Sequence, residues 1–262
     1  MTARRATTAA PSKLLALTEL PRALFELGSL AWTAPMLLAG PRGDGHPVLV
    51  LPGFIGSDTS TGILRRFLNA RGYDAHSWNL GRNMGPKAIG SEGEKLIARL
   101  EDIHAATGRK VSLVGWSLGG VMARLLANAR PDLVRQVITL GAPFGGSFKA
   151  SNIWRTYETL TGHRVEDGKT KRLRERSAAV PEVPTTAIFS KADGIVAWQN
   201  CREAEGDTTD NIEVYGSHVG LGVNPSVFHA IADRLAQPEG EFARFERTGL
   251  ARMMYPSAAN ER

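Results

Sequence analysis

From His46 onward, short apolar runs alternate with longer segments in which apolar residues recur every three or four positions. Val48-Leu49-Val50-Leu51 and Val111-Ser112-Leu113-Val114 are too short for amphipathic helices and read as strands buried on both faces. Val137-Ile138-Thr139-Leu140, residues 185–190 and residues 211–214 follow the same pattern, and a weaker strand lies around residues 75–78. Residues 61–71, 92–106, 120–130 and 225–235 carry helical spacing instead; Val121, Leu125 and Leu126 mark the inward face of the third. Strands alternating with helices predict an α/β domain with a mostly parallel sheet of about six strands and helices on both faces.

Two segments depart from this alternation. Residues 14–38 have amphipathic spacing with Pro21 and Pro35 inside it, which predicts one or two helices interrupted at the prolines. The expected division is an N-terminal helical arm over 1–45, an α/β domain over 46–239, and a polar tail over 240–262. The arm is expected either to pack on the domain or to contact a membrane surface peripherally. Arg4-Arg5 is not followed by the apolar core of an export signal, because Glu19, Arg22 and Glu26 interrupt the region, so no clear signal peptide is read. The charge-free run over 27–40 is too short to span a bilayer. From about 144 to 184 no strand pattern is found. That insertion follows the strand after 111–114, which places it over the carboxyl ends of the sheet, where ligands bind in open α/β folds. A short cap is expected, with Trp154, Tyr157 and Leu160 as its apolar underside.

The strand at 111–114 and the helix at 120–130 are joined by Gly115-Trp116-Ser117-Leu118-Gly119. Gly-x-Ser-x-Gly between strand and helix is a nucleophile elbow: the serine stands at the apex of a strained turn, and glycines let strand and helix approach. A serine hydroxyl needs a base, and the base needs a carboxylate to fix its tautomer. In elbow proteins these follow in the order Ser, acid, His, each after a strand. Asp193 follows the strand at 185–190 and His218 follows the one at 211–214. His46, His76, His104, His163 and His229 lie before strands, within one, in the cap or on helices, and read as structural or exposed. Asp207 and Asp210 read as loop residues, while Glu166 or Asp167 is the alternative acid if the cap supplies it. An oxyanion needs two preorganised donors. The backbone N–H of Leu118, at the helix start, is one candidate. Phe54, after the first strand, is the other, with Gly53 allowing the backbone to turn inward.

Composition narrows the partners. The 262-residue chain has net charge +6, but its densest basic stretch, 164–176, is broken by Glu166, Asp167 and Glu175. No nucleic-acid motif accompanies it, so it reads as a solvated helix face and no nucleic-acid partner is expected. Cys201 is the only cysteine, so neither an intrachain disulfide nor a cysteine-type zinc cluster can form. A cytoplasmic location, with membrane association as the alternative, is the expectation.

Leu51-Pro52-Gly53-Phe54, the elbow, Asp193-Gly194 and Ser217-His218 together resemble the α/β-hydrolase superfamily, of the bacterial lipase/esterase kind. Leu140-Gly141-Ala142-Pro143-Phe144-Gly145-Gly146-Ser147 is similar to the Gly-Thr-Pro-His-x-Gly-Ser run of bacterial lipases. The resemblance covers residues 47–235 and implies the compact form of that fold. It also implies a carboxylic-ester hydrolase with an acyl-serine intermediate, acting on a small-molecule or lipid ester without metal or cofactor. Proline precedes Gly53 and Phe144 stands where such lipases often carry histidine, which leaves the substrate class open. Trp116, Phe144, Phe148, Trp154 and Trp198 are the candidate pocket residues. Trp116 beside the serine also occurs in perhydrolase-like relatives. Acyl transfer, thioester cleavage or a peracid activity would use the same residues, and a non-catalytic binding scaffold is the remaining alternative.

Overall fold

The computed structural model describes residues 8–162, 164 and 168–257. Its strands are β1 (Pro47–Leu51), β2 (Asp74–Ser77), β3 (Val111–Trp116), β4 (Val134–Leu140), β5 (Thr185–Phe189) and β6 (Thr209–Glu213). They form one six-stranded sheet in the order β2-β1-β3-β4-β5-β6, every pairing parallel. β1, β4 and β5 are buried throughout; β1 is uniformly apolar, while β4 and β5 also bury Arg135, Gln136, Thr139, Thr185 and Thr186. The chain leaves β1 toward one edge and returns on its other side with β3. The strand order therefore reverses between β1 and β3, and the crevice at their carboxyl ends is where this topology places a ligand.

The helices are α1 (Lys13–Leu17), α2 (Glu19–Ala39), α3 (Gly62–Ala70), α4 (Pro86–Ile89), α5 (Glu94–Thr107), α6 (Leu118–Ala129), α7 (Trp154–Thr161), α8 (Gly168–Ala178) and α9 (Pro225–Leu235). Strand period two divides the core between the two faces of the sheet. Val48, Val50, Val114 and Ile138 pack with Phe67 of α3 and Phe228 of α9, whose rings stack at 4.9 Å. Leu49, Leu51, Leu113 and Val137 pack on the other face with Leu96 and Leu100 of α5 and Leu126 of α6. Each such side chain removed from water contributes about 1.5–3 kcal/mol.

The arm departs from its pattern. The break falls at Thr18, between α1 and α2, and at neither proline. Pro21 lies in the first turn of α2, where an N–H has no intrahelical acceptor, and Pro35 is carried inside the helix. The tail also differs from its polar reading. Phe245 and Met254 pack against the core, and Tyr255 is buried, its hydroxyl donating to the Ser226 carbonyl at 2.8 Å.

In the insertion, α8 is held to α6 from below. The buried Arg124 guanidinium donates to the carbonyls of Ser177 at 2.7 Å and Ala179 at 2.8 Å, pairs with buried Glu203, and lies 3.9 Å over the Phe144 ring. Asn128 adds bonds to the carbonyls of Arg176 and Ala179. The basic stretch is partly on α8, where Lys171, Arg172 and Arg176 are exposed.

Candidate active site

Ser117 sits between β3 and α6 at φ 53° and ψ −120°, a conformation an L-residue adopts only under constraint. Its N–H donates to the Leu140 carbonyl at 2.8 Å. The flanking glycines are required by contact. A Cβ on Gly115 would lie 2.4 Å from the Gly119 carbonyl oxygen, and one on Gly119 2.4 Å from that of Leu51. The sharp turn is thus bought by two residues without side chains, and it leaves the Ser117 hydroxyl facing the crevice.

Asp193 follows β5 and His218 follows β6, and the fold brings both to Ser117. His218 Nε2 lies 2.9 Å from Ser117 Oγ, and Nδ1 lies 2.6 Å from Asp193 Oδ2. The other carboxylate oxygen of Asp193 accepts from the N–H groups of Ile195 and Val196, each at 2.8 Å, which fixes its plane. Asp193 is 3% and His218 5% exposed. Burial pushes the His218 pKa down, but the charge and hydrogen bond of Asp193, with the charge of Glu19, raise it above the ordinary histidine value. Trp116 donates through its indole N–H to the His218 carbonyl at 3.1 Å.

Leu118 is the first residue of α6, so its N–H has no intrahelical acceptor. The Phe54 N–H makes no hydrogen bond among the described residues. Both residues line the cavity over Ser117. The turn between them is built differently from the expectation for Gly53. Gly53 has no positive φ, and its missing Cβ would make only ordinary contacts; the left-handed residue is Ile55, at φ 58°. Ile55 is held there by its N–H to the Asn83 carbonyl at 2.9 Å.

The cavity is about 290 Å³, lined by Phe54, Trp116, Leu118, Phe148, Ile153 and Ile195 among others. A smaller apolar cavity of about 70 Å³ shares Leu118, Pro143 and Phe148 with it and reaches Val121 and Tyr157 under the cap. Of the expected pocket residues, Trp116 and Phe148 line the main cavity and three do not. Phe144 is buried with Ala142 and Ala187 beneath Arg124. Trp198 stacks on Phe189 at 5.7 Å, and Trp154 lies near Lys149 and Arg155 on the cap. Apolar contact with neighbouring elements and cations occupies their rings.

The other described histidines each have a partner elsewhere. His46 is buried between Asp44 and Ser112, its Nε2 2.8 Å from Ser112 Oγ. This is a second Ser-His-Asp chain, but Ser112 is fully buried at the start of β3, away from the crevice. His76, His104 and His229 pair with Asp74, the Arg109 carbonyl and the Tyr255 hydroxyl. Asp207 is exposed, and Asp210 accepts from the Phe245 N–H at 2.6 Å, holding the tail. His163, Glu166 and Asp167 lie outside the described residues. Burial raises the Cys201 thiol well above its usual pKa, as suits a packing residue. Among the described residues no three His, Cys, Asp or Glu side chains converge as a metal site.

Two contacts of the arm with the loops of the candidate site have no sequence signal. Glu19 of α2 is buried; its Oε1 accepts from the Gly194 N–H at 2.8 Å and its Oε2 from the Val219 N–H at 2.8 Å. One carboxylate thus ties the loop of Asp193 to the loop of His218. Arg22 bonds Glu19 at 2.9 Å and the Ala192 carbonyl at 2.8 Å. Glu26, also buried, accepts from the Ser217 N–H at 2.7 Å and the Asn224 amide at 2.9 Å.

An elbow serine, a histidine and a carboxylate at the carboxyl edge of a parallel sheet define this as the α/β-hydrolase fold. Solved structures agree. A monoacylglycerol lipase of Paleococcus ferrophilus superposes with TM-score 0.56 at 18% identity, covering 75% of this chain and 96% of that one. A Bacillus licheniformis lipase gives 0.54 at 19%, covering 76% and 95%. In sequence, the chain is similar to triacylglycerol lipases of Pseudarthrobacter phenanthrenivorans and Burkholderia plantarii, 32% identical over 109 residues in each case. The match covers 39% of this chain and 34% and 30% of those relatives, so it spans about a third of their length. No protein-family model matches the chain.

Proposed function

We propose that the protein is a serine hydrolase of carboxylic esters. The observation that carries this reading is the continuous chain from Ser117 Oγ through His218 to Asp193, at 2.9 and 2.6 Å, opening into an apolar cavity. A carboxylate only accepts, so the imidazole proton sits on Nδ1 and the Nε2 lone pair faces the serine hydroxyl. Ser117 Oγ attacks the ester carbonyl as Nε2 takes its proton. The carbonyl π pair moves to oxygen, and the N–H groups of Phe54 and Leu118 receive the oxyanion, the latter aided by the α6 dipole. Collapse expels the alcohol, which takes the proton back from His218. Water then repeats the sequence on the acyl-serine and releases the acid. The apolar lining suits a hydrocarbon acyl group, and the sequence likeness to triacylglycerol lipases favours esters of lipid type.

The test is hydrolysis of p-nitrophenyl esters from acetate to palmitate, with Ser117→Ala as control and fluorophosphonate labelling of the wild type. Turnover and labelling that both vanish in Ser117→Ala support the reading. Absence of turnover on every ester, with no labelling, refutes it.

A further inference from the structure

The helix α2 is inverted relative to a surface helix of a water-soluble domain. A helix lying on a protein turns its apolar stripe inward and its charges outward. Here the two carboxylates, Glu19 and Glu26, point inward and are buried. Every exposed position from Glu19 to Ala39 carries an apolar side chain or glycine. Leu20, Leu24, Phe25 and Trp32 are each about two-thirds exposed, and Leu14 and Leu17 of α1 continue the surface. The strip is roughly 30 Å long, since a 21-residue helix rises about 1.5 Å per residue. Its length and continuity exceed the scattered apolar residues of an ordinary surface.

We propose that this outer face of α2 docks on an anionic lipid surface, with the helix lying in the plane of the interface. Two features select lipid over a protein partner. Protein interfaces carry roughly one hydrogen bond per 100–200 Å², and this face presents no polar side chain to make one. At its carboxyl end Gly40 N–H caps the Leu37 carbonyl, and Arg71 donates to the carbonyls of Leu38, Gly40 and Pro41. A surface that asks for no hydrogen bond is matched by hydrocarbon. Charge gives the second feature. From Ser12 to Arg42 the only acidic residues are the two buried ones, while exposed Lys13 and Arg42 flank the strip at its ends. Cations at the rim of an apolar face complement anionic headgroups around acyl chains. No helix among the described residues is long and apolar enough to cross a membrane, so contact is from one side. The inner side of the same helix binds the loops whose Ile195 and Val219 line the cavity. Docking is independent of the ester reading.

The experiment uses the full chain carrying Ser117→Ala, which cannot turn over lipid, and vesicles of phosphatidylcholine with phosphatidylglycerol. Flotation with the vesicles is expected. Adding L24E and W32E should lower the partition coefficient roughly a hundredfold, because each apolar side chain withdrawn from hydrocarbon is worth about tenfold or more. Adding L20S and F25S, which introduces no charge, should also lower it. With Ser117 restored, both pairs should keep wild-type turnover of a soluble short-chain ester, as the replaced side chains face outward. Failure of the parent to float, or flotation undiminished in both pairs, overturns the proposal. So does a parent that is dimeric in solution, is split by L24E/W32E, and ignores vesicles.

Discussion

Replacement of Glu19 by glutamine isolates what the arm does for the proposed triad of Ser117, His218 and Asp193. The side chain keeps its size but loses one acceptor and its charge. If the remaining oxygen stays opposite Gly194 and Arg22, the amide nitrogen faces the Val219 N–H, donor against donor. A buried polar group left unpaired costs about 1–3 kcal/mol, which lowers Tm by roughly 2–10 °C in a domain of this size. The orphaned N–H belongs to the residue after His218, so the loop shift moves the imidazole relative to Ser117. Loss of triad alignment on this scale costs roughly 10- to 100-fold in kcat, with KM little changed. The charge gives a readout that a purely structural role would not. Asp193 and Glu19 hold the His218 pKa up against burial, while Arg22 is paired with Glu19 from the same helix. Removing the Glu19 charge therefore lets that pKa fall, and the acid limb of the kcat/KM profile moves to lower pH. Glu26 is not among the charges acting on His218, so Glu26→Gln should lower Tm and leave the limb in place. A Glu19→Gln protein with a lower Tm but wild-type kcat and an unmoved acid limb would refute a positioning role.

The wild-type acid limb should itself lie above the ordinary histidine value of about 6.5. The folded pKa is raised, and the base is lost as pH falls through it; a midpoint below that value contradicts the geometry. Asp193→Asn should reduce kcat by about 10⁴-fold through loss of tautomer control, whereas Asp207→Asn, at an exposed position, should leave it unchanged. The reverse pattern in the same esterase assay would move the acid elsewhere. Gly119→Ala should lower Tm by roughly 2–10 °C, since a Cβ 2.4 Å from the Leu51 carbonyl forces α6 away from β1 at an overpacking cost of about 1–3 kcal/mol. Thermal unfolding followed by circular dichroism would show it.

The parts legible in the sequence are those where one residue type meets one steric demand. Gly115 and Gly119 announce the elbow because nothing larger fits, and the apolar run of β1 announces a strand buried on both faces. Asp193 and His218 follow from strand order. Glu19 and Glu26 were not legible, because a carboxylate in a helical pattern ordinarily marks the wet face. Their partners are backbone N–H groups 175 and 191 residues away, which carry no side-chain signature. The aromatic residues misled for a related reason. Phe144, Trp154 and Trp198 have the size to line a cavity, but the same size suits packing, and only the fold of the loops decides between them. Ile55 shows the limit for turns: Gly53, two residues earlier, is the position where the sequence suggests special backbone freedom, while a hydrogen bond to the Asn83 carbonyl holds a β-branched residue left-handed.

The clasp between Arg124 and the end of α8 bears on how anything enters the cavity. Lifting α8 would strip a buried guanidinium of its carbonyl acceptors on Ser177 and Ala179 while leaving its pair with Glu203, and each buried hydrogen-bonding group left unpaired costs about 1–3 kcal/mol. At equilibrium that leaves an open population of at most a few per cent, since 1.4 kcal/mol is a factor of ten. The far end of the cap is therefore fastened to α6 as a wall, whereas at its near end α7 lays Tyr157 against the rings of Phe54 and Phe148, which line the cavity over Ser117.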